Sequence, residues 1–234
     1  MAEWDLVLGD CLEGMARLAD RSVDHVITDP PYSEHVHGKS TRGGRGGAKR
    51  LDLGFEALQA DVRAGCCQQF ARLARRWVLV FSDVESAHLW RRDLEAAGLE
   101  FVRTGIWVKI APTPQFTGDR PAAGAEAITI AHRRGKKRWN GGGKSGIWSC
   151  PAAYRDGDPV VHTTQKPESL MESLVLDFTN PGDLILDPFA GSGTTGVAAL
   201  RNGRRFLGWE RDTACHAIAT KRLGYTREQR SLAL

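Results

Sequence analysis

Two short runs carry residue types suited to chemistry on a planar amine. The first is Asp29-Pro30-Pro31-Tyr32, directly after the apolar run Val23–Thr28. Two prolines hold the backbone extended and lack N–H donors, which leaves carbonyls free to accept. Asp29 and the Pro30 carbonyl therefore present two acceptors, with the aromatic plane of Tyr32 beside them. Such a set suits an exocyclic amino group, which has two N–H bonds to be accepted and a ring face to be stacked upon. An ordinary strand-ending turn also uses Asp and Pro, so this run needs a partner before it signifies chemistry.

The partner is Leu186-Asp187-Pro188-Phe189-Ala190-Gly191-Ser192-Gly193-Thr194-Thr195-Gly196, which again follows a β-like run and opens a helical one. Glycines let the backbone approach a ligand closely, and a helix N-terminus offers N–H donors to a negative group. Glu210 ends the next apolar run, where a carboxylate can accept from both hydroxyls of a ribose. A nucleoside-containing cofactor fits this pattern. Gly191, Gly193 and Gly196 also match the dinucleotide fingerprint, and Glu210 lies nineteen residues beyond Gly191, near the usual spacing. Only about one supersecondary unit remains after Glu210, too little to continue a dinucleotide domain. A pyrophosphate site also leaves Asp187-Pro188-Phe189 and Asp29–Tyr32 without a purpose. Gly143-Lys144-Ser145 imitates the end of a P-loop, but Arg138 stands where its first glycine belongs.

The elements that must position these runs alternate in type. Trp4–Leu8, Val23–Thr28, Trp77–Phe81, Asp183–Leu186 and Arg205–Trp209 have the character of strands. Cys11–Leu18, Ala57–Arg75, Ser86–Ala97, Pro167–Phe178, Thr194–Arg201 and Ala214–Leu223 have helical spacing, while Phe101–Ile110 and Ala125–Ala131 suggest a strand pair. Strands alternating with helices predict an α/β layer fold with a mostly parallel sheet. Folds of this kind bind ligands beyond the carboxyl ends of their strands.

At 234 residues the chain fits one domain. No apolar run approaches the roughly 18 residues that span a bilayer. The opening residues lack the basic-then-apolar pattern of a secretory signal, and a reducing cytoplasm is expected. Cys11, Cys66, Cys67, Cys150 and Cys215 are scattered without ligand spacing, so neither a disulfide framework nor a metal site is expected. The net charge of +4 is unevenly placed. Lys39, Arg42, Arg45, Lys49 and Arg50 crowd a Gly-rich stretch between Ser33 and Asp52. Arg133, Arg134, Lys136, Lys137, Arg138 and Lys144 follow His132 with no acid among them, and Trp139 sits in their midst. Both stretches have the composition of surface loops.

Taken together, the two motifs resemble the DNA amino-methyltransferases, S-adenosylmethionine-dependent enzymes acting on N6 of adenine or N4 of cytosine. Asp29–Tyr32 resembles their catalytic Asp-Pro-Pro-Tyr, and Asp187–Thr195 their Asp-Pro-Phe-x-Gly-x-Gly-Thr cofactor loop. With the catalytic motif first, the chain is similar to the beta-order, circularly permuted subgroup. Gly9-Asp10-Cys11 and Thr164-Gln165-Lys166-Pro167 fall where that subgroup has related pieces, and Trp107–Lys109 with Glu126–Ile130 look like its later strand pair.

The resemblance implies a single Rossmann-like methyltransferase domain over residues 1–234, doubly wound, with an antiparallel strand pair in its sheet. It implies a basic loop at 33–55 and a short DNA-contacting insertion at 132–162. Asp29, Pro30, Pro31 and Tyr32 would be catalytic, with Tyr32 stacking on a base flipped from duplex DNA. Asp29, Asp187, Pro188, Phe189, Gly191, Ser192, Gly193 and Thr194 would line the methionine and ribose parts of the cofactor. Glu210 would take the ribose hydroxyls, Asp10 and Cys11 the adenine, and Lys166 the methionine end. DNA contacts would come from Lys39, Arg42, Arg45, Lys49, Arg133, Arg134, Lys136, Lys137, Arg138 and Trp139, through phosphates above all. Adenine is the expected target because Asp opens the catalytic motif. N4 of cytosine and a catalytically silent DNA-binding subunit are the alternatives. Carbon-5 chemistry is not expected, because Cys150-Pro151 reverses the Pro-Cys order it needs. A homodimer and a cognate restriction enzyme are the expected protein partners.

Overall fold

Strands that are apolar on both faces belong inside a parallel sheet covered by helices, and this chain places them there. A computed structural model describes residues 3–31, 41–42, 49–50, 58–112, 114–115, 118–152 and 165–232. Its strands are β1 (Trp4–Leu8), β2 (His25–Thr28), β3 (Thr41–Arg42), β4 (Lys49–Arg50), β5 (Trp77–Ser82), β6 (Glu100–Ile110), β7 (Ala125–His132), β8 (Ile147–Pro151), β9 (Leu184–Asp187) and β10 (Arg205–Glu210). Eight form one sheet in the order β1-β10-β9-β2-β5-β7-β6-β8, and β3 with β4 forms a separate two-stranded ribbon. Neighbours from β1 to β5 in that order are parallel, with Val26 opposite Leu186 and Val78. Of the eight, only β7 runs the other way, pairing antiparallel with β5 and β6.

The helices are α1 (Cys11–Ala16), α2 (Ala60–Leu73), α3 (Ala87–Ala96), α4 (Glu168–Phe178), α5 (Thr194–Arg201) and α6 (Thr213–Leu232). Alternate strand residues feed opposite faces, as the period of two requires. Val26, Val78, Val80 and Leu186 join Met15, Phe70 and Trp90 under α1–α3. Ile27, Leu79, Phe81 and Ile185 join Leu170, Leu174, Val197 and Leu223 under α4–α6. Full burial of side chains such as Phe70, Phe81 and Phe206 contributes about 1.5–3 kcal/mol each.

Two expectations are corrected. The stretch expected as a 132–162 insertion supplies β8, which adds to the sheet edge parallel to β6. Helix α6 runs nine residues past Leu223 to Leu232. Its glycine at 224 does not end the helix, and Arg227 and Arg230 on the following turns reach Glu3 at 3.6 and 3.4 Å.

This order of strands creates a switch point. From β9 the chain crosses through α5 to β10 on one side, whereas from β2 it moves to β5 on the other. The crevice between diverging connections is where open α/β sheets hold ligands. The two motifs found in the sequence end the two strands that flank it.

Candidate active site

Asp187 closes β9 and is 2% exposed. Its carboxylate accepts from Thr28 Oγ1 at 2.7 Å, Thr195 Oγ1 at 2.6 Å and the Phe189 amide at 3.1 Å. It thus clasps the end of β2, the first turn of α5 and the loop between. Burial lifts its pKa to about 6 against these three donors, and the charge of Asp29 adds to the rise. The loop turns on Gly191 (φ 54°) and Gly193 (φ 82°), left-handed conformations that cost most other residues about 1–2 kcal/mol. Ser192, expected to face a ligand, is buried, and Arg222 Nη1 reaches its carbonyl at 2.7 Å and its hydroxyl at 3.1 Å. The other end of that guanidinium donates to Glu168 Oε1 at 2.6 Å.

Beside the glycine loop, Glu210 Oε2 accepts from the Gly191 amide and Oε1 from the Asp212 amide, both at 2.8 Å. Its own carbonyl accepts from Gly9 N at 3.0 Å. Asp10 is exposed and caps α1 through the Glu13 amide at 3.0 Å. A side chain at Gly9 or Gly191 would meet no described atom within 4 Å, so the backbone here borders open space between two carboxylates. The donors and acceptors gathered here fit the nucleoside part of S-adenosylmethionine. Cys11 departs from expectation. It is buried and pairs with Cys66, whose thiol is pushed far up by that hydrogen bond and by burial. The Cys11 side chain therefore belongs to the core under α1.

Across the crevice, Asp29 follows β2 with a side chain 24% exposed. Lys166 lies immediately before α4, and its Nζ sits 2.5 Å from Asp29 Oδ2 and 3.2 Å from Glu126 Oε2. The other Glu126 oxygen takes Lys109 Nζ at 2.7 Å. Burial alone would lower the Lys166 pKa; the charges of Asp29 and Glu126 outweigh it, and the pKa is raised above the usual lysine value. The ammonium also lies 5.2 Å from the Phe81 ring centroid. Lys166, expected at the methionine end, is held on Asp29, the carboxylate expected to be catalytic. Nothing in residue spacing singles out Glu126, Lys109, Arg222 or Thr28. Thr28 reaches Asp187 because β2 and β9 are neighbours, Glu126 and Lys109 arrive through sheet order, which sets β7 two strands from β2, and Arg222 arrives through the packing of α6.

Tyr32, Lys39 and Arg45 lie outside the described residues. Arg42 and Lys49 pair across the β3–β4 ribbon. The second basic run is placed differently from expectation. It leaves β7 at His132, which is paired with Trp77 at the start of β5, whereas the catalytic motif lies beyond the strand carboxyl ends. Asp29 is level with Phe81, one residue beyond the Thr28–Val80 pair, so four steps of about 3.3 Å along β5 separate the two levels by roughly 13 Å. Arg133 caps α2, donating to the carbonyls of Ala74 at 2.9 Å and of Ala71. Lys137 pairs with Glu100 at 2.7 Å. Trp139 packs edge-on against Phe178, 4.8 Å between centroids, and donates to the Gly142 carbonyl at 2.8 Å. These three groups are used within the chain, at the sheet end away from Asp29. Arg134, Lys136 and Arg138 are exposed at that same end.

A doubly wound sheet with a nucleoside cradle on one side of its switch point and an acceptor carboxylate on the other defines a Rossmann-like, S-adenosylmethionine-dependent methyltransferase. The chain belongs to the DNA methylase family of N6 and N4 methyltransferases, whose model matches residues 23–221. It is 29% identical to the type II methyltransferase M2.DpnII of Streptococcus pneumoniae, covering 93% of this chain and 88% of that one. It is 28% identical to the type II methyltransferase M.HinfI of Haemophilus influenzae, covering 93% and 67%. The crystal structure of an M1.HpyAVI–SAM complex superposes with a TM-score of 0.71 at 26% identity, covering 94% of this chain and all of that one. The cofactor is S-adenosylmethionine and the substrate is DNA. No described helix is long and apolar enough to cross a membrane.

Proposed function

We propose that this enzyme methylates N6 of adenine in duplex DNA, one flipped base at a time. The observation that carries the reading is an aspartate at the head of the catalytic motif, partly exposed beside the cofactor cradle. An aromatic amino nitrogen is a poor nucleophile because its lone pair is delocalised into the ring. Asp29 and the Pro30 carbonyl accept its two N–H bonds, favour a pyramidal nitrogen and so localise that pair. Tyr32 stacks on the base, and positioning of this kind is worth roughly 7–11 kcal/mol of barrier. S-adenosylmethionine supplies an electrophilic methyl group on a sulfonium. Glu210 orders the Gly191 loop and keeps lone pairs for the ribose hydroxyls.

DNA reaches the site from the strand carboxyl ends, and the 33–55 segment, which in sequence follows the Asp29–Tyr32 run, carries Lys39, Arg42, Arg45 and Lys49 for its phosphates. A homodimer in the cytoplasm, paired with a cognate restriction enzyme, completes the reading, with the type II names of two relatives in support. The test is incubation with unmethylated duplex DNA and S-adenosylmethionine, then nucleoside digestion and mass spectrometry. N6-methyladenine is expected; N4-methylcytosine would keep the mechanism and overturn the target.

A further inference from the structure

The Lys166 ammonium lies between two carboxylates, and only one of them belongs to the catalytic motif. It is 2.5 Å from Asp29 Oδ2 and 3.2 Å from Glu126 Oε2. Glu126 is itself fixed, because its second oxygen is held by Lys109 at 2.7 Å, and Lys109 rests 5.1 Å from the Trp107 ring centroid. Charges therefore alternate from β2 to β6 as Asp29, Lys166, Glu126 and Lys109. This order conflicts with the work assigned to Asp29. A target amino group gains positive charge as it takes a methyl group, so it needs an anion beside it. A lysine on the same carboxylate occupies an acceptor and opposes the developing charge. Shifting the ammonium off Asp29 when the target arrives removes that opposition, and a bare lysine in this buried place would be costly. Glu126 provides the alternative anion within reach, and Lys109 keeps that anion in place while the ammonium shifts.

We infer that Glu126 is a positioning residue for methyl transfer: it receives the Lys166 ammonium when the target amino group engages Asp29. The inference rests on the role given to Asp29 above. Before the target binds, the lysine bridges both carboxylates, and the fraction of molecules in which it has left Asp29 and rests on Glu126 alone is the competent one. Apparent affinity for a target falls in proportion to that fraction.

Steady-state methylation of duplex DNA at saturating S-adenosylmethionine tests this with Glu126→Gln. The KM for DNA is expected to rise about tenfold as the competent fraction falls, with kcat changed less and cofactor affinity by calorimetry within about twofold. In a Lys166→Met background, the same Glu126→Gln change is expected to add less than about twofold, because its effect passes through the lysine. Equal losses in both backgrounds would instead make Glu126 a structural brace for β6 and β7 and overturn the proposal. If Glu126→Gln fails to fold, Glu126→Asp keeps the charge at a shorter reach. It is expected to show the same KM-weighted loss in smaller measure, and a loss confined to kcat overturns the proposal. Asp29→Ala is assayed alongside. Near-normal turnover there would defeat the reading of Asp29 itself, whereas an inactive Asp29→Ala with additive Glu126 effects defeats this inference alone.

Discussion

Two Asp-Pro turns end neighbouring parallel strands, and their carboxylates have opposite surroundings. Asp187 is sealed from water and accepts from two hydroxyls and an amide, all neutral donors. Asp29 is partly exposed and faces an ammonium ion. The same dipeptide thus yields a clasp in one place and a partly exposed, lysine-paired acceptor in the other. What separates them is the following chain. After Asp187 the glycine loop folds back at once into α5, so the carboxylate is covered by Thr195 and Phe189. After Asp29 the second proline holds the backbone extended, and the carboxylate side chain keeps 24% exposure. Local sequence sets the turn, and the covering elements set the chemistry.

The contrast is broken most directly at its reactive member. Asp29→Ala is expected to lower methyl transfer by about a thousandfold or more, as removal of a preorganised electrostatic partner does. Cofactor affinity measured by calorimetry should change little, because the nucleoside cradle lies on the other side of the switch point. Turnover within tenfold of the parent would show that the two carboxylates do not differ in role as their surroundings indicate.

The next largest effect sharpens the other member. Asp187 has a folded pKa near 6 against an ordinary 3.8, so the fold favours its protonated form. Stability from that preference is fully present below about pH 4 and is lost as pH rises through about 6. Asp187→Asn cannot titrate, and the stability of the parent relative to this variant should therefore fall between pH 4 and pH 7. The shift of about two units corresponds to roughly 3 kcal/mol. Chemical denaturation of both proteins across that range measures it, and a difference that stays flat with pH would mean that the three donors, rather than burial, control Asp187.

Much of this was legible from residue types. Asp29–Pro31, the run at 186–196, the strands that precede them and the helix Thr194–Arg201 stand where spacing put them. Strand β8 was not legible, because Ile147–Pro151 is short and follows a glycine-rich basic run that imitates a loop. Sequence spacing is equally silent on Glu126 and Arg222, which reach the site only through sheet order and helix packing. Charge counting misplaced Arg133, Lys137 and Trp139. A run without acids suggests a DNA-facing loop, yet its ion-pair partner Glu100 and its helix-capping carbonyls Ala71 and Ala74 come from elsewhere in the chain.

The glycine loop offers a smaller perturbation of the clasp. Gly193 has φ 82°, and a Cβ there would lie 3.0 Å from the Ala219 Cβ. Gly193→Ala should cost about 1–2 kcal/mol in backbone strain, before any adjustment of α6. The strain falls on the loop that Asp187 fastens, so cofactor affinity should drop by about tenfold with Asp29 chemistry otherwise intact. Unchanged affinity in calorimetry would mean that the loop tolerates the change and is not the rigid half of the pair.

The last prediction extends the contrast from two carboxylates to two basic stretches, and for one of them the expected effect is none. Neutralising Lys39, Arg42, Arg45 and Lys49 should make the salt dependence of DNA binding shallower by up to roughly three to four units, at about 0.9 for each phosphate that is no longer neutralised. Neutralising Arg134, Lys136 and Arg138 should leave the slope unchanged to within about one unit, because their stretch departs from the end of β7 paired with Trp77, away from Asp29. These three are the right probes, since Arg133 and Lys137 are engaged in capping α2 and pairing with Glu100. Replacing those two would confound binding with stability. A shallower slope from the Arg134, Lys136 and Arg138 set would require duplex DNA to touch both ends of the sheet, which a duplex entering only over the strand carboxyl ends does not do.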